Sequence, residues 1–472
     1  MNRTLTAILV AATLAGCAVT QPIVPKLDLP QGSATAAQNE LLEHWWTAFN
    51  DPVLDALIDE AFANNLDLRV TLARIEAARS QVLLAQANLA PAIDLVGNAA
   101  RSRISAVTSP PLNPGAMLTS NDYGLGFQLS YELDVWGKYR SGLLASTNDL
   151  YASRYYRESV RITVAGDVAG AYFRLRAADA ELAVLENTLR LRTDTVRLQR
   201  DRFDGGLIGE YDLRSAEAER SAVVADVARA QKAVGQLEAA IAALTGRSPR
   251  AVFTPEVARG ASIEAVTEVP ELPAGLPSSL IERRPDIRRS EALMAASDLR
   301  IQQTRANYFP SLTLTGAYGV ESAALNSLFS GPAVVWNLGL GLVQPLLALK
   351  AIESQVELAT ARRDQTIIEY QQTVQTAFRE VHDSLVANRS ARDVLAAETD
   401  RRDQIAKAYE VAMLRYEAGR TSFLEVIDAQ RQLLAAETLR IGAARDAKLS
   451  IVDFAKALGG GWSPEKFAAA GN

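Results

Sequence analysis

The strongest constraint on this chain is that it says nearly the same thing twice. The segment ending Ala87-Asn88-Leu89-Ala90-Pro91 recurs as Ala306-Asn307-Tyr308-Phe309-Pro310, with Asp67/Asp286, Arg69/Arg288, Ala73/Ala292, Ala77/Ala296, Leu95/Leu314 and Gly97/Gly316 in the same register. A second match pairs Val168 with Val381, Arg202 with Arg415, Phe203 with Tyr416, Gly206 with Gly419 and Ala216 with Ala429. A repeat this long is not a short solenoid unit. It reads as a tandem duplication that gives one protomer internal pseudo-symmetry, so that it can contribute two equivalent segments to one ring.

Within each half the hydrophobic period changes. A helical pattern runs from Val53 to Asn88 and is stopped by Pro91. Then Tyr123, Leu125, Phe127, Leu129, Tyr131 and Leu133 alternate with Gly124, Gly126, Gln128, Ser130 and Glu132, the signature of a strand with one apolar face. The second half repeats this over Leu312–Val320 and Trp336–Leu342, and Ala92–Arg101 is the faintest of the four strands. Strands of this length suit an outer-membrane span, although a soluble hairpin packed on a helix shows the same alternation. The Gly, Ser, Thr, Asn and Gln of the polar faces fit a wet lumen. The loop Ser105–Asn121, with Pro110-Pro111 and Pro114-Gly115, reads as surface.

Between Ser141 and Asp204 there is no proline. As continuous helix that is about 95 Å, seldom seen in a soluble domain. Val164, Val168, Ala171, Leu175, Ala178, Leu182, Leu185 and Leu189 form a coiled-coil seam, which Val196 and Phe203 extend at heptad spacing. Gly205-Gly206 breaks the helix, and a return helix covers Asp212–Leu244. The second half does the same from Ala351 to Tyr416 and back to Leu458; Asn388 and Arg392 at its seam suggest a face that meets water. The organisation expected is a signal peptide (1–16), a tether (17–52), a first repeat (53–246), a proline-rich connecting segment (247–277), a second repeat (278–459) and a tail (460–472).

Four strands in one chain cannot stand alone in lipid, because their edges leave backbone groups unpaired at several kcal/mol each. Chains must pool strands. Two copies give an eight-stranded barrel normally filled by its own side chains, whereas three give twelve strands and room for a lumen. The fold class expected is therefore an α+β membrane protein: a homotrimer whose twelve-stranded barrel continues into a long α-helical coiled-coil barrel.

Charge and cysteine usage narrow the function. A formal charge of -6, with acids and bases interspersed, argues against nucleic acid as a partner. His44 and His382 stand far apart without a zinc-ligand pattern, and no nucleotide-binding loop or nucleophile–base pair is present, so neither a metal, a cofactor nor an enzyme is expected. The sole cysteine, Cys17, follows Met1-Asn2-Arg3, an apolar run and Leu14-Ala15-Gly16. That is signal-peptide architecture. It also resembles a lipoprotein signal, which implies N-acyl and S-diacylglycerol lipid on Cys17; an ordinary signal that contains a cysteine is the plainer alternative. Ala18, where an Asp would resemble an inner-membrane retention signal, favours the outer membrane.

Four motifs then resemble one family: Trp45-Trp46 with Phe49-Asn50-Asp51-Pro52, Tyr131-Glu132-Leu133-Asp134-Val135-Trp136-Gly137, Leu280-Ile281-Glu282-Arg283-Arg284-Pro285-Asp286-Ile287 and Ala306-Asn307-Tyr308-Phe309-Pro310-Ser311-Leu312. They look like the TolC-like outer membrane factors, in particular the NodT and OprM-type efflux lipoproteins, over almost the whole mature chain. The resemblance implies a channel-tunnel in the bacterial outer membrane with a periplasmic extension. Its implied partners are a periplasmic adaptor and an inner-membrane efflux transporter of the proton-driven RND type, beside outer-membrane lipid. A protein-secretion duct is the alternative within transport; a non-pore coiled-coil lipoprotein is the alternative outside it.

The second hairpin tip supplies the site residues. Glu425 and Asp428, three apart, share one face of the return helix. In a trimer they would ring the axis with carboxylates that favour cations, and the family resemblance places a periplasmic gate there; an ordinary solvated face is the bland alternative. The resemblance also makes Tyr416 and Asp212 latch residues. Arg420 stands one residue before the family's latch arginine, at whose position Thr421 sits. Gly206 and Gly419, at the two tips, are the expected adaptor-docking turns, or simply tight turns.

Overall fold

The computed structural model describes residues 43–107, 115, 117–265 and 283–462. Cys17 and the tether up to residue 42, the proline-rich part of the Ser105–Asn121 loop, Leu280-Ile281-Glu282 with part of the connecting segment, and the tail from residue 463 lie outside the described residues. In chain order come a 3-10 turn (Trp45–Phe49), α1 (Pro52–Asn64), α2 (Leu66–Ala87), β1 (Ala92–Arg103), β2 (Thr119–Glu132), α3 (Lys138–Asp204), α4 (Glu210–Leu244), the short α5 (Pro249–Phe253), α6 (Pro285–Arg305), β3 (Ser311–Ser322), β4 (Val334–Val343), α7 (Leu349–Glu417) and α8 (Phe423–Ala457). A helix, a β-hairpin, a long helix and a return helix thus occur twice in the same order. The long helices have 67 and 69 residues. None of the described helices is long and apolar enough to cross a membrane.

The chain divides into two compact units. The first, containing residues 75–152 and 290–370, holds one antiparallel sheet of order β1-β2-β3-β4. The registers bring the apolar residues of all four strands to one face: Ile93, Leu129, Gly316 and Leu338 form one row, and Leu95, Phe127, Tyr318 and Trp336 the next. The other face carries Asp94, Gln128, Ala317 and Asn337, then Val96, Gly126, Gly319 and Val335. A one-residue slip of any strand would turn its apolar set onto the polar side, so the pattern fixes the pairing.

Gly126 and Gly319, paired across β2 and β3, show how the sheet curves. A Cβ on Gly319 would lie 2.6 Å from the Cα of Gly126, and one on Gly126 would lie 2.9 Å from the Cα of Gly319. Both hypothetical side chains point to the polar face, so the neighbouring backbone curls toward that side. The polar face is therefore concave and the apolar face convex. Among the described residues the outer edges of β1 and β4 have no neighbouring strand.

Where β2 hands over to α3, Asp134 caps the helix by accepting from the backbone N–H of Tyr139 (3.1 Å) and of Arg140 (2.9 Å). Trp136 stacks on Phe309 at 4.7 Å between centroids, and its indole N–H donates to the carbonyl of Pro310 at 2.8 Å. Two of the family-like motifs thus meet in one contact.

The second unit, containing residues 153–289 and 371 onward with the segment before Ile75, has the main core. Trp45, Trp46 and Phe49 are buried with Leu54, Ile58, Val168, Tyr172, Phe173, Leu175 and Ile241. Asp51 caps α1 through the N–H of Val53, and its other oxygen accepts from the Tyr172 hydroxyl at 2.5 Å. Arg284 donates to the carbonyl of Ala457 at the end of α8 (2.7 Å) and pairs with Asp286 and Glu380. The Asn-Asp-Pro and Arg-Arg-Pro-Asp motifs are thus caps and clasps.

Three expectations change. The single helix expected over Val53–Asn88 is two: Asn65 interrupts it, accepting from the N–H groups of Asp67 and Leu68 and donating to the carbonyl of Leu244 at 2.7 Å, so it caps α2 and ties off α4. Asn388 does not meet water but is buried, donating to the Ser450 hydroxyl at 2.9 Å. Phe203, expected in the seam, is exposed in the last turn of α3, which ends at Asp204.

Candidate functional site: the paired hairpin tips

Both tips turn by the same hydrogen-bonded device. The N–H of Gly206 donates to Phe203 and that of Leu207 to Arg202; the N–H of Gly419 donates to Tyr416 and that of Arg420 to Arg415. Each glycine has positive φ, +69° and +67°, and each is surrounded by open space. Glycine is therefore required here by backbone conformation and not by crowding.

Behind the turns the two hairpins pack together. Phe423, Val426 and Ile427 of α8 bury against Ala216 of α4, with Val196, Tyr409, Met413 and Tyr416 around them. This spacing leaves Glu425 and Asp428 on the opposite, exposed face of α8, where the Asp428 carboxylate accepts from Gln432 at 2.6 Å. Glu425 lies in the first turn of α8, where the helix dipole favours an anion.

Tyr416 is fixed by residues of α3. Its hydroxyl accepts from the Arg202 guanidinium at 2.6 Å and from the Gln199 amide at 3.2 Å, and the guanidinium carbon lies 5.6 Å from the ring centroid. Within the protomer the structure does not join Tyr416 to Asp212, which is half-buried at the start of α4 and whose backbone N–H bonds to Gly209. Arg420 is exposed, and the Thr421 hydroxyl is buried without a hydrogen-bond partner.

Farther from the tips lies an ionic group that sequence reasoning missed. Glu219 of α4 is buried, faces Arg192 of α3 at 3.6 Å and pairs with Arg431 of α8. Burial pulls the pKa of Arg192 down; Glu219 opposes the fall and Arg431 adds to it. The signal was present: Arg192 and Gln199 occupy heptad seam positions between Leu189, Val196 and Phe203, and polar residues there specify partners. Away from the tips, His44 packs edge-on against Trp46 and His382 is exposed beside Asp383.

A sheet with one polar and one apolar face, in a chain that also carries two long helical hairpins, is the combination of an outer-membrane channel protein. The sequence profile of the outer membrane efflux protein family matches residues 57–247 and 276–460. The chain belongs to that family. It is 31% identical over 92% of its length, and 88% of the other's, to the probable efflux pump outer membrane protein TtgC of Pseudomonas putida. It is 29% identical to the cation efflux system protein CusC of Escherichia coli, over 96% of this chain and 97% of that one. Among solved structures, the Campylobacter jejuni CmeC outer membrane channel superposes with a TM-score of 0.86 at 27% identity, covering 95% of this chain and 98% of that one. The protein is an outer-membrane efflux channel component with a periplasmic helical extension.

Proposed function

We propose that three copies of this chain close into one gated duct, a twelve-stranded barrel continued by a helical barrel, through which an inner-membrane pump and a periplasmic adaptor expel small molecules. The observation that carries it is the curved sheet. Its β1 and β4 edges, unpaired among the described residues, demand neighbours, and its concave face is the polar one, as a water-filled lumen needs. Relatives named for efflux of toluene and of cations favour small molecules over secreted protein. The internal repeat gives six similar hairpins around one axis, with Gly206 and Gly419 at the adaptor-facing tips. Cys17 carries the lipid that holds the N-terminus to the outer membrane, and the protein has no catalytic role.

Glu425 and Asp428 form the acidic ring of the gate, while Tyr416, with Arg202, and Asp212 hold the hairpins in the closed state; Arg420 is left to the tip surface. The test is conductance in planar bilayers. Purified protein should give discrete channels blocked by divalent cations, and Glu425→Ala/Asp428→Ala should weaken that block about tenfold or more, as expected for losing a ring of carboxylates. Unchanged block would remove both residues from the gate.

A further inference from the structure

The convex face of the sheet is free of charge over its whole width except at one place. At the hairpin end of β1, Arg101 and Arg103 stand opposite Asn121 and Thr119, one and two register steps beyond the row of Ala99, Tyr123 and Ser322. Both arginines are exposed, and neither makes an ion pair or side-chain hydrogen bond among the described residues. The nearby acids are of no help to them. Asp122 and Glu321 alternate onto the concave face, where Asn98 donates to Asp122 at 2.6 Å. The sequence contains no acid between Arg103 and Asp122 and no charged residue from Ser322 to Val343.

An arginine on a lipid-facing strand is costly at mid-membrane and cheap only near the interface, and two of them without a counterion call for an anion there. Tyr123, the last aromatic residue on this face of β2, marks the boundary between apolar band and headgroups. Forked guanidinium groups match phosphate oxygens. We propose that Arg101 and Arg103 bind the phosphate of a phosphorylated glycolipid in the outer leaflet, which anchors the edge strand β1 where one protomer meets the next. The placement rests on the barrel reading above, in which the hairpin ends face the exterior.

The test titrates purified trimer in detergent with bisphosphorylated lipid A and with the same lipid stripped of phosphate, reading retention by native mass spectrometry. Wild type should hold the phosphorylated lipid roughly tenfold more tightly. Arg101→Gln/Arg103→Gln should abolish the preference, and Arg197→Gln, which removes an exposed arginine of α3, should leave it intact. No preference in wild type, a preference surviving in the double variant, or equal loss in Arg197→Gln overturns the proposal. So does saturation by inorganic phosphate with no added gain from the acyl chains. Trimer content is read from the same spectra: absence of trimer in wild type sinks the barrel reading, whereas trimer without lipid preference sinks this inference alone. Should the double variant not assemble, the two-lipid comparison in wild type decides.

Discussion

Tyr416 is the residue nearest the tips through which the two hairpins of one protomer hold each other by polar contact, beside the Glu219–Arg431 pair farther away. Replacing it by Phe keeps the ring against Phe423 but leaves Arg202 and Gln199, the latter almost wholly buried, without an acceptor. Such a loss costs about 1–3 kcal/mol. Tyr416→Phe is therefore expected to raise the open fraction in single-channel records, and an unchanged open fraction would show that the contact does not hold the gate. Tyr172 plays the matching part in the core. Burial and then the Asp51 carboxylate raise its phenol pKa well above the usual range. Because the folded value exceeds the unfolded one, its contribution is complete below about pH 10 and is lost as pH rises through the folded value. Chemical denaturation should show Tyr172→Phe less stable by about 1–3 kcal/mol at neutral pH and without the wild-type decline in strong alkali.

At the scale of elements, the alternation of apolar and polar residues was enough to place four strands, and the registers align the apolar sets as that pattern requires. Curvature was not legible, because a glycine in a strand looks the same whether it relieves crowding or merely weakens the strand. The break at Asn65 is not visible in the pattern because the buried positions Ala61, Leu68 and Ile75 continue across it at seven-residue spacing; the Asn side chain, not a loss of periodicity, marks the break by starting α2. Seam positions 192 and 199 were passed over since an apolar rule has no place for Arg and Gln that find buried partners. Gly319→Ala tests the curvature. Its Cβ meets backbone that has no side-chain freedom to yield, an overpacking of about 1–3 kcal/mol in each protomer. The expected result is a lower yield of heat-modifiable oligomer on gels, and a normal yield would mean that the close approach of the two strands is dispensable.

For the molecule as a whole, the division of charge follows the division of solvent. Asp94, Asp122, Glu132 and Glu321 all lie on the concave face of the sheet, and Glu425 and Asp428 are exposed at the start of the second hairpin's return helix. In the trimeric duct proposed above, such a lining would select by width and by sign of charge. The family could be read from short motifs because they are caps and clasps whose geometry few other residues can supply. The partners of Tyr416, Arg202 and Gln199, could not, since contacts between hairpins depend on how separate helices face one another. Closure of the sheet by identical neighbours is what all of this requires. Native mass spectrometry of the purified, folded protein should give the mass of three chains with no folded monomer; a stable monomer with its sheet intact would contradict it.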